Sequence, residues 1–447
     1  MRLPQSSPAL QSLMEEFDSL EPSQRLRLLE ESDVLDGKRR YLHWDQVRRR
    51  LPPEGLTHRT WWLGFVLARR AGRQRLPLLG KGGVPFWFCN APPLTEGLQR
   101  VDREMAGHIL LDQDVVSNSD KDRYLVSSLM EEAIRSSQFE GANTTRQVAQ
   151  EMLRTGRQPV NKSERMIFNN FAAMQTVERW AREDVAVTEQ RLLQLHEIVT
   201  DGTLADPTDS GRLQQSGEGR VAVVSGDGSI VHTPPPAAEL PERVARLCDF
   251  ANGVADDGYL HPAVRAILCH FMIGYDHPFV DGNGRTARAL FYWTMLRNGY
   301  WLAAYLSISD LLHDAPSRYS RAYEYVHADA NDATYFLIHQ LDILQRAADR
   351  LRTYIERQAE RAASVALLLK QRRDLNHRQE VILDRAFRGS QSQFTVAGHA
   401  TEFRVVNATA RSDLMGLVKI GLFVRHGNHR QYVFRPAPDL QERLGES

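Results

Sequence analysis

Cysteine is scarce in this chain. Cys89, Cys248 and Cys269 are the three among 447 residues, and none stands in a CxxC or other metal-ligand spacing. A disulfide scaffold and a zinc ribbon are excluded, and a sparse, odd count suits a reducing compartment. An excess of charge of one sign is lacking too. Lys+Arg and Asp+Glu both total 56, so no global field steers the chain toward nucleic acid or membrane, and any basic site has to be local. No run approaches the roughly 18 uninterrupted apolar residues of a membrane span. Met1-Arg2-Leu3-Pro4-Gln5 has no apolar signal core. The expectation is a soluble cytoplasmic protein with no membrane partner. Repeats of about 20–50 residues are also absent, which excludes a solenoid.

What is present is ordinary globular composition, 42% hydrophobic and 25% charged, at a length that implies two or three domains. Most of the chain reads as helix. Residues 121–140 place Tyr124, Leu125, Leu129, Ile134 and Phe139 at helical spacing. Residues 163–182 open with Ser163 as an N-cap and continue Met166, Ile167, Phe171, Met174. Residues 187–199, 239–252, 262–274 and 286–298 follow the same pattern, and a long Ala/Leu/Arg/Gln-rich helix is expected over 332–371. Two regions break the period. Residues 219–234 carry two β-branched runs around Gly226-Asp227-Gly228, a hairpin signal, closed by Pro234-Pro235-Pro236. Residues 390–435 mix short Val/Phe/Tyr runs with a helical stretch. Residues 1–110 are mixed, and Trp44, Trp61, Trp62 and Trp87 read there as core or interface anchors.

The chemistry concentrates in His277-Pro278-Phe279-Val280-Asp281-Gly282-Asn283-Gly284-Arg285 and the following Arg288. Glycines allow close backbone approach to a ligand. A helix opening right after them offers unpaired N–H groups and partial positive charge, which suits phosphate. Arg285 and Arg288 are three apart and can flank one anion. Asp281 is a hard oxygen ligand, and Mg²⁺ on phosphates takes one or two protein carboxylates. His277 is the group able to take a proton near neutral pH. A base, a metal ligand and a phosphate cradle together spell phosphoryl or nucleotidyl transfer.

A lone Gly-Asn-Gly is weak. The string His-x-Phe-x-Asp-Gly-Asn-Gly-Arg-x-x-Arg, with its eight specified positions, matches by chance on the order of 10⁻⁷ or less. It resembles the signature of the Fic family. That resemblance implies a base role for His277, Mg²⁺ at Asp281, an anion hole over Gly282 to Gly284, and the terminal phosphate of ATP on Arg288. It also implies that Asn283 and Arg285 help bind the phosphates and that Phe279 anchors the loop. Leu195-His196-Glu197 and Gly211-Arg212 are similar to the family's approach to its flap, and the hairpin 219–234 to the flap itself. An exposed hairpin edge can add a strand from a target peptide.

Ser136-Ser137-Gln138-Phe139-Glu140-Gly141 resembles the family's inhibitory pattern. A Glu140 carboxylate beside Arg288 would occupy the guanidinium that the γ-phosphate needs. Ser136, one turn earlier, would orient the local backbone or the carboxylate, and Gly141 would end the helix in a left-handed cap.

The resemblance implies a mainly α fold, a Fic-type helical core with a β-hairpin flap. Residues 1–115 would form an N-terminal region. Residues 116–330 would hold the inhibitory helix (about 121–141), the flap (219–234) and the loop (277–288). A connecting helix would follow over 331–372. Residues 373–447 resemble a winged helix-turn-helix, with Thr409, Arg411 and Ser412 on its recognition helix and a basic hairpin from Arg425 to Arg430. DNA is the sharp expectation for it and protein contact the bland one. Neutral overall charge and the acidic Asp413 count against DNA. The implied activity is transfer of AMP from ATP to a Ser, Thr or Tyr hydroxyl of a target protein. Alternatives are transfer of UMP or phosphocholine, AMP removal, or a nucleotide-sensing regulator acting through the winged helix. Self-association into a homodimer is a family expectation.

Overall fold

A computed structural model describes residues 3–106, 118–220, 223–224, 230–254, 258–372, 374–387, 393–427 and 432–445. The chain divides into two compact units. One comprises residues 1–110 and 124–349, the other residues 111–123 and 350–447.

The architecture is mainly helical, with small antiparallel sheets. The centre of the first unit is the helix pair Pro262–Asp276 and Asn283–Arg297, which pack on each other. Both are buried around nearly their whole circumference, enclosed by other helices. Ile267, Leu268, Phe271, Leu290, Tyr292 and Trp293 are all buried. Helices Lys162–Arg182 and Glu189–Thr200 cover the second of the pair, and Leu240–Ala251 covers the first. The Lys162–Arg182 helix is capped by Asn161, whose side chain accepts from Glu164 N–H at 2.9 Å. Ser163 is therefore not the cap; its hydroxyl accepts from Asn143 N–H at 3.2 Å.

Residues 3–106 of this unit combine short helices with an antiparallel pair, Arg73–Leu79 and Pro85–Cys89. Trp44 and Trp62 are buried in its core with Leu13, Leu28, Val47 and Phe65. Trp61 and Trp87 are half-buried, and Trp87 Nε1–H donates to Ala330 O at 2.8 Å. Arg69 ties this region to the helix that starts at Thr334. Its guanidinium is buried, donates to Leu42 O and to Tyr335 Oη at 2.9 Å each, and lies 3.7 Å from the Tyr41 ring centroid.

The flap segment pairs Val223–Val224 with Ile230–His232 antiparallel; the Gly226-Asp227-Gly228 turn lies outside the described residues. The cysteines are free and buried. Among the described residues no helix is long and apolar enough to cross a membrane.

The second unit runs helix His377–Phe387, strand Phe394–Thr395, helices Val396–Phe403 and Asn407–Lys419, then strands Phe423–His426 and Val433–Pro436 and a short helix Leu440–Gly445. The last strand lies between the other two in an antiparallel sheet. Ile382, Leu383, Phe394, Leu414, Leu417, Leu422 and Phe434 form its core. The long helix Thr334–Gln371 crosses the chain boundary between the units.

Candidate active site

Proline following His277 disfavours helical geometry at the histidine, and there the Pro262–Asp276 helix stops. His277 sits in the left-handed region, φ 46° and ψ 56°, with its N–H donating to Ile273 O at 3.0 Å. Histidine tolerates that region better than most side chains. Burial pushes the His277 pKa below its usual value, and the backbone of Gly274 only partly opposes this. The ring is therefore neutral near pH 7. Its Nδ1 is buried and makes no hydrogen bond among the described residues.

The loop after His277 is held from inside. Phe279 is fully buried and stacks on His196, centroids 3.8 Å apart and planes 6° apart. Asn283 clips the loop closed: its Oδ1 accepts from Phe279 N–H at 3.0 Å and its Nδ2 donates to Phe279 O at 2.8 Å. The Asn283 side chain is thus spent on holding the loop. Gly282 turns the chain at φ 82° and opens the Asn283–Arg297 helix, a conformation suited to glycine.

His196 fixes the loop a second time. Gly211 N–H donates to its Nδ1 at 3.0 Å, so Nε2 carries the proton and donates to Asp281 O at 2.9 Å. Burial lowers its pKa to about 4, so both hydrogen bonds persist at neutral pH. The Asp281 residue itself is exposed.

The two arginines part company. Arg285 is buried and donates to Val199 O at 2.9 Å, near the end of the Glu189–Thr200 helix. Arg288 faces the helix Asn118–Phe139. Its Nε–H donates to Ser136 Oγ at 2.8 Å, and Nη2 donates to Ser136 O at 3.1 Å and to Glu140 Oε1 at 2.8 Å. The Arg288 side chain is 2% exposed and that of Glu140 30%. Burial disfavours the Arg288 charge, but Glu140 and further carboxylate attraction overcome this and raise its pKa. The Glu140 carboxylate sits hard against Gly284: a Cβ there would lie 2.0 Å from Oε1. A negative group thus already occupies the mouth of the glycine-rich turn.

The turn that presents Glu140 is a Schellman motif. Ala142 N–H donates to Ser137 O and Gly141 N–H to Gln138 O, both at 3.0 Å, with Gly141 at φ 95°. The left-handed cap expected at Gly141 is present.

Three contributors escaped the motif reading. Glu132 is buried one turn before Ser136 and accepts from Ser307 Oγ and from Ser309 N–H at 3.0 Å each, and from Ser309 Oγ. Burial raises its pKa, while Ser309 and Arg288 pull it down. The signal was periodicity: Glu132, Ser136 and Glu140 are four apart and share one helical face. Arg220 donates to His277 O at 3.2 Å and to Asp276 O, and Gln214 N–H donates to Pro278 O at 2.9 Å. These bonds lash the chain entering the flap to the loop, and no local pattern announces them. Behind them, burial lifts the Asp276 pKa to about 7 although Arg243 lies at 3.2 Å.

The Fic/DOC family model matches residues 186–295, the span from the Glu189–Thr200 helix through the flap and loop. Curated proteins named protein adenylyltransferase Fic are similar over 128 residues. Those of Drosophila willistoni and Drosophila melanogaster are each 30% identical over 29% of this chain and cover 23% and 24% of their own length. The chain thus spans about a quarter of these relatives. A Fic family protein from Desulfovibrio desulfuricans G20 shares the fold, with a TM-score of 0.51 at 19% identity, covering 78% of this chain and 98% of that one. With the signature complete and its loop built as described, residues 186–295 of this chain match the Fic/DOC family.

Proposed function

We propose that this protein transfers AMP from ATP to a hydroxyl of a target protein and is held off by its own Glu140. The observation that carries the reading is the loop geometry. A neutral His277, a glycine turn at a helix N-terminus and the Arg288 guanidinium converge there, and a carboxylate already occupies the anion position. In this reading His277 Nε2 takes the proton of the acceptor hydroxyl. The acceptor oxygen forms a bond to the α-phosphorus, the bond from that phosphorus to the β-bridging oxygen breaks, and pyrophosphate leaves. Backbone N–H groups over Gly282 to Gly284 hold phosphate oxygens, Arg288 holds the terminal phosphate, and Arg285 adds positive charge from beneath.

Among the described residues no group of three or more His, Cys, Asp or Glu side chains could hold a metal. Mg²⁺ on nucleotide phosphates takes one or two protein carboxylates, and the exposed Asp281 would be the one to hold it here. The ion would neutralise phosphate charge there. The flap strand Ile230–His232 supports a protein acceptor, because Ile230 is exposed at an edge where a peptide strand can add.

The test is incubation of Glu140→Gly with ATP labelled on the α- or the γ-phosphate, alongside GTP, UTP and CTP. α-Label retained on protein Ser, Thr or Tyr supports AMP transfer. Retained γ-label, or preference for UTP, would assign another group. Nucleotide binding without turnover would leave the chain a sensor.

A further inference from the structure

The C-terminal unit holds charge that the transfer chemistry does not use. Asp413, acidic and on the helix Asn407–Lys419, is turned inward and buried. It accepts from Arg378 Nε at 2.7 Å, Asn376 Nδ2 at 2.8 Å and His399 Nε2 at 3.0 Å. Its charge is spent there and does not weigh against an anionic partner, contrary to the expectation from sequence. Other carboxylates of the unit are paired as well: Asp374 with Arg372, Glu402 with Arg385, and Asp439 with Arg443.

What the same helix presents outward is Asn407, Ala408, Arg411 and Ser412, all exposed. Arg411 lies 5.6 Å from the Tyr432 ring centroid, and Arg425, from the strand Phe423–His426, lies 4.6 Å from it. Two exposed guanidiniums from different elements are thus gathered at one aromatic ring, and neither has an ion pair among the described residues. An anion lying across both would relieve their mutual repulsion. Beside them is a helix face of small and polar side chains, able to approach base edges closely. The order helix, strand, helix, helix, two-stranded hairpin places that face on the third helix, the position that enters a major groove in helix-turn-helix proteins.

We propose that this face binds duplex DNA, with Arg411 and Arg425 on backbone phosphates and the outer face of Asn407–Lys419 in the major groove. Arginine on phosphate supplies affinity and positioning, and the helix face supplies what sequence preference there is. This inference is independent of the transfer reaction.

Anisotropy of a fluorescein-labelled mixed-sequence duplex of roughly two helical turns, titrated with the full-length protein, tests it. Binding is expected at low salt and should fall steeply between about 50 and 200 mM salt. Arg411→Ala with Arg425→Ala should weaken binding at least ~10-fold and flatten the log–log salt slope by roughly 1.8, about 0.9 for each phosphate no longer neutralised. Ser412→Glu removes no cation yet should weaken binding too. Arg59→Ala, which takes an arginine from its pair with Glu16 in the other unit, should not. Absence of binding at low salt, or an unchanged slope in the double variant, overturns the proposal. So does equal displacement by polyglutamate and by unlabelled duplex, which would assign the face to an acidic protein.

Discussion

Replacing Glu140 with glycine should tighten ATP binding by a predictable amount. In the proposed mechanism ATP has to displace a carboxylate hydrogen-bonded to Arg288 at 2.8 Å in the wild-type chain. Two unit charges about 4 Å apart at an effective dielectric of about 20 attract by about 4 kcal/mol. Glu140 keeps 30% of its side chain in solvent, and water screening lowers the figure to about 2 kcal/mol. The expected gain is therefore about 2 to 4 kcal/mol, or roughly 30-fold to 1,000-fold in Kd at about 1.4 kcal/mol per factor of ten. Isothermal titration of a non-hydrolysable ATP analogue into both proteins reads it directly. Glu140→Gln separates two contributions. It removes the charge but keeps an amide against Gly284, where a Cβ would already lie 2.0 Å from the carboxylate, so its gain should be smaller. Equal affinities for wild type and Glu140→Gly, with both folded, would mean that Arg288 is not the contested group.

Glu132→Ala strips the acceptor from Ser309 N–H and both serine hydroxyls. Thermal unfolding should show a loss of about 1–3 kcal/mol, and ATP binding should tighten partway as the Asn118–Phe139 helix loosens. His196→Phe keeps an aromatic stack on Phe279 but loses the bonds to Asp281 O and Gly211 N–H. In the Glu140→Gly background it should lower kcat more than it raises the KM for ATP. Acid stability follows from the buried histidines. Burial lowers the pKa of His43, His196, His232 and His339 to about 4 and of His270 and His327 to about 3. The unfolded chain therefore binds more protons than the folded one below about pH 6.5. Stability from these groups is full above that pH and lost as pH falls toward 4 and below. Asp276 and Asp332, whose pKa values burial raises, act in the opposite direction over the same window but are outnumbered. Urea midpoints measured from pH 7.5 to 4.5 should fall with pH; a flat profile would contradict the burial of these rings.

The loop was legible because its chemistry is local. His277, Asp281, Gly282 to Gly284 and Arg288 stand within twelve positions, and a helix N-terminus brings most of them together without help from distant residues. The Glu140 contact joins residues 148 apart in sequence and was legible only because a second short motif carries it. What escaped was the set of contacts that depend on tertiary packing alone. His196 reaches Asp281 across 85 positions, Arg220 reaches back to the His277 carbonyl, and Arg285 turns to Val199 rather than toward an anion. Asp413 misled for the same reason. A charge on a helix has no sign of its facing until the core is known, and this one faces inward to Arg378 and His399.

The most direct test is retention of radiolabel on protein after incubation with α-labelled ATP and Mg²⁺, comparing wild type, Glu140→Gly, and Glu140→Gly with His277→Ala. Little label is expected on wild type, strong label on Glu140→Gly, and none on the double variant, which should still bind the nucleotide. Label on the double variant equal to that on Glu140→Gly would show that His277 is not the base.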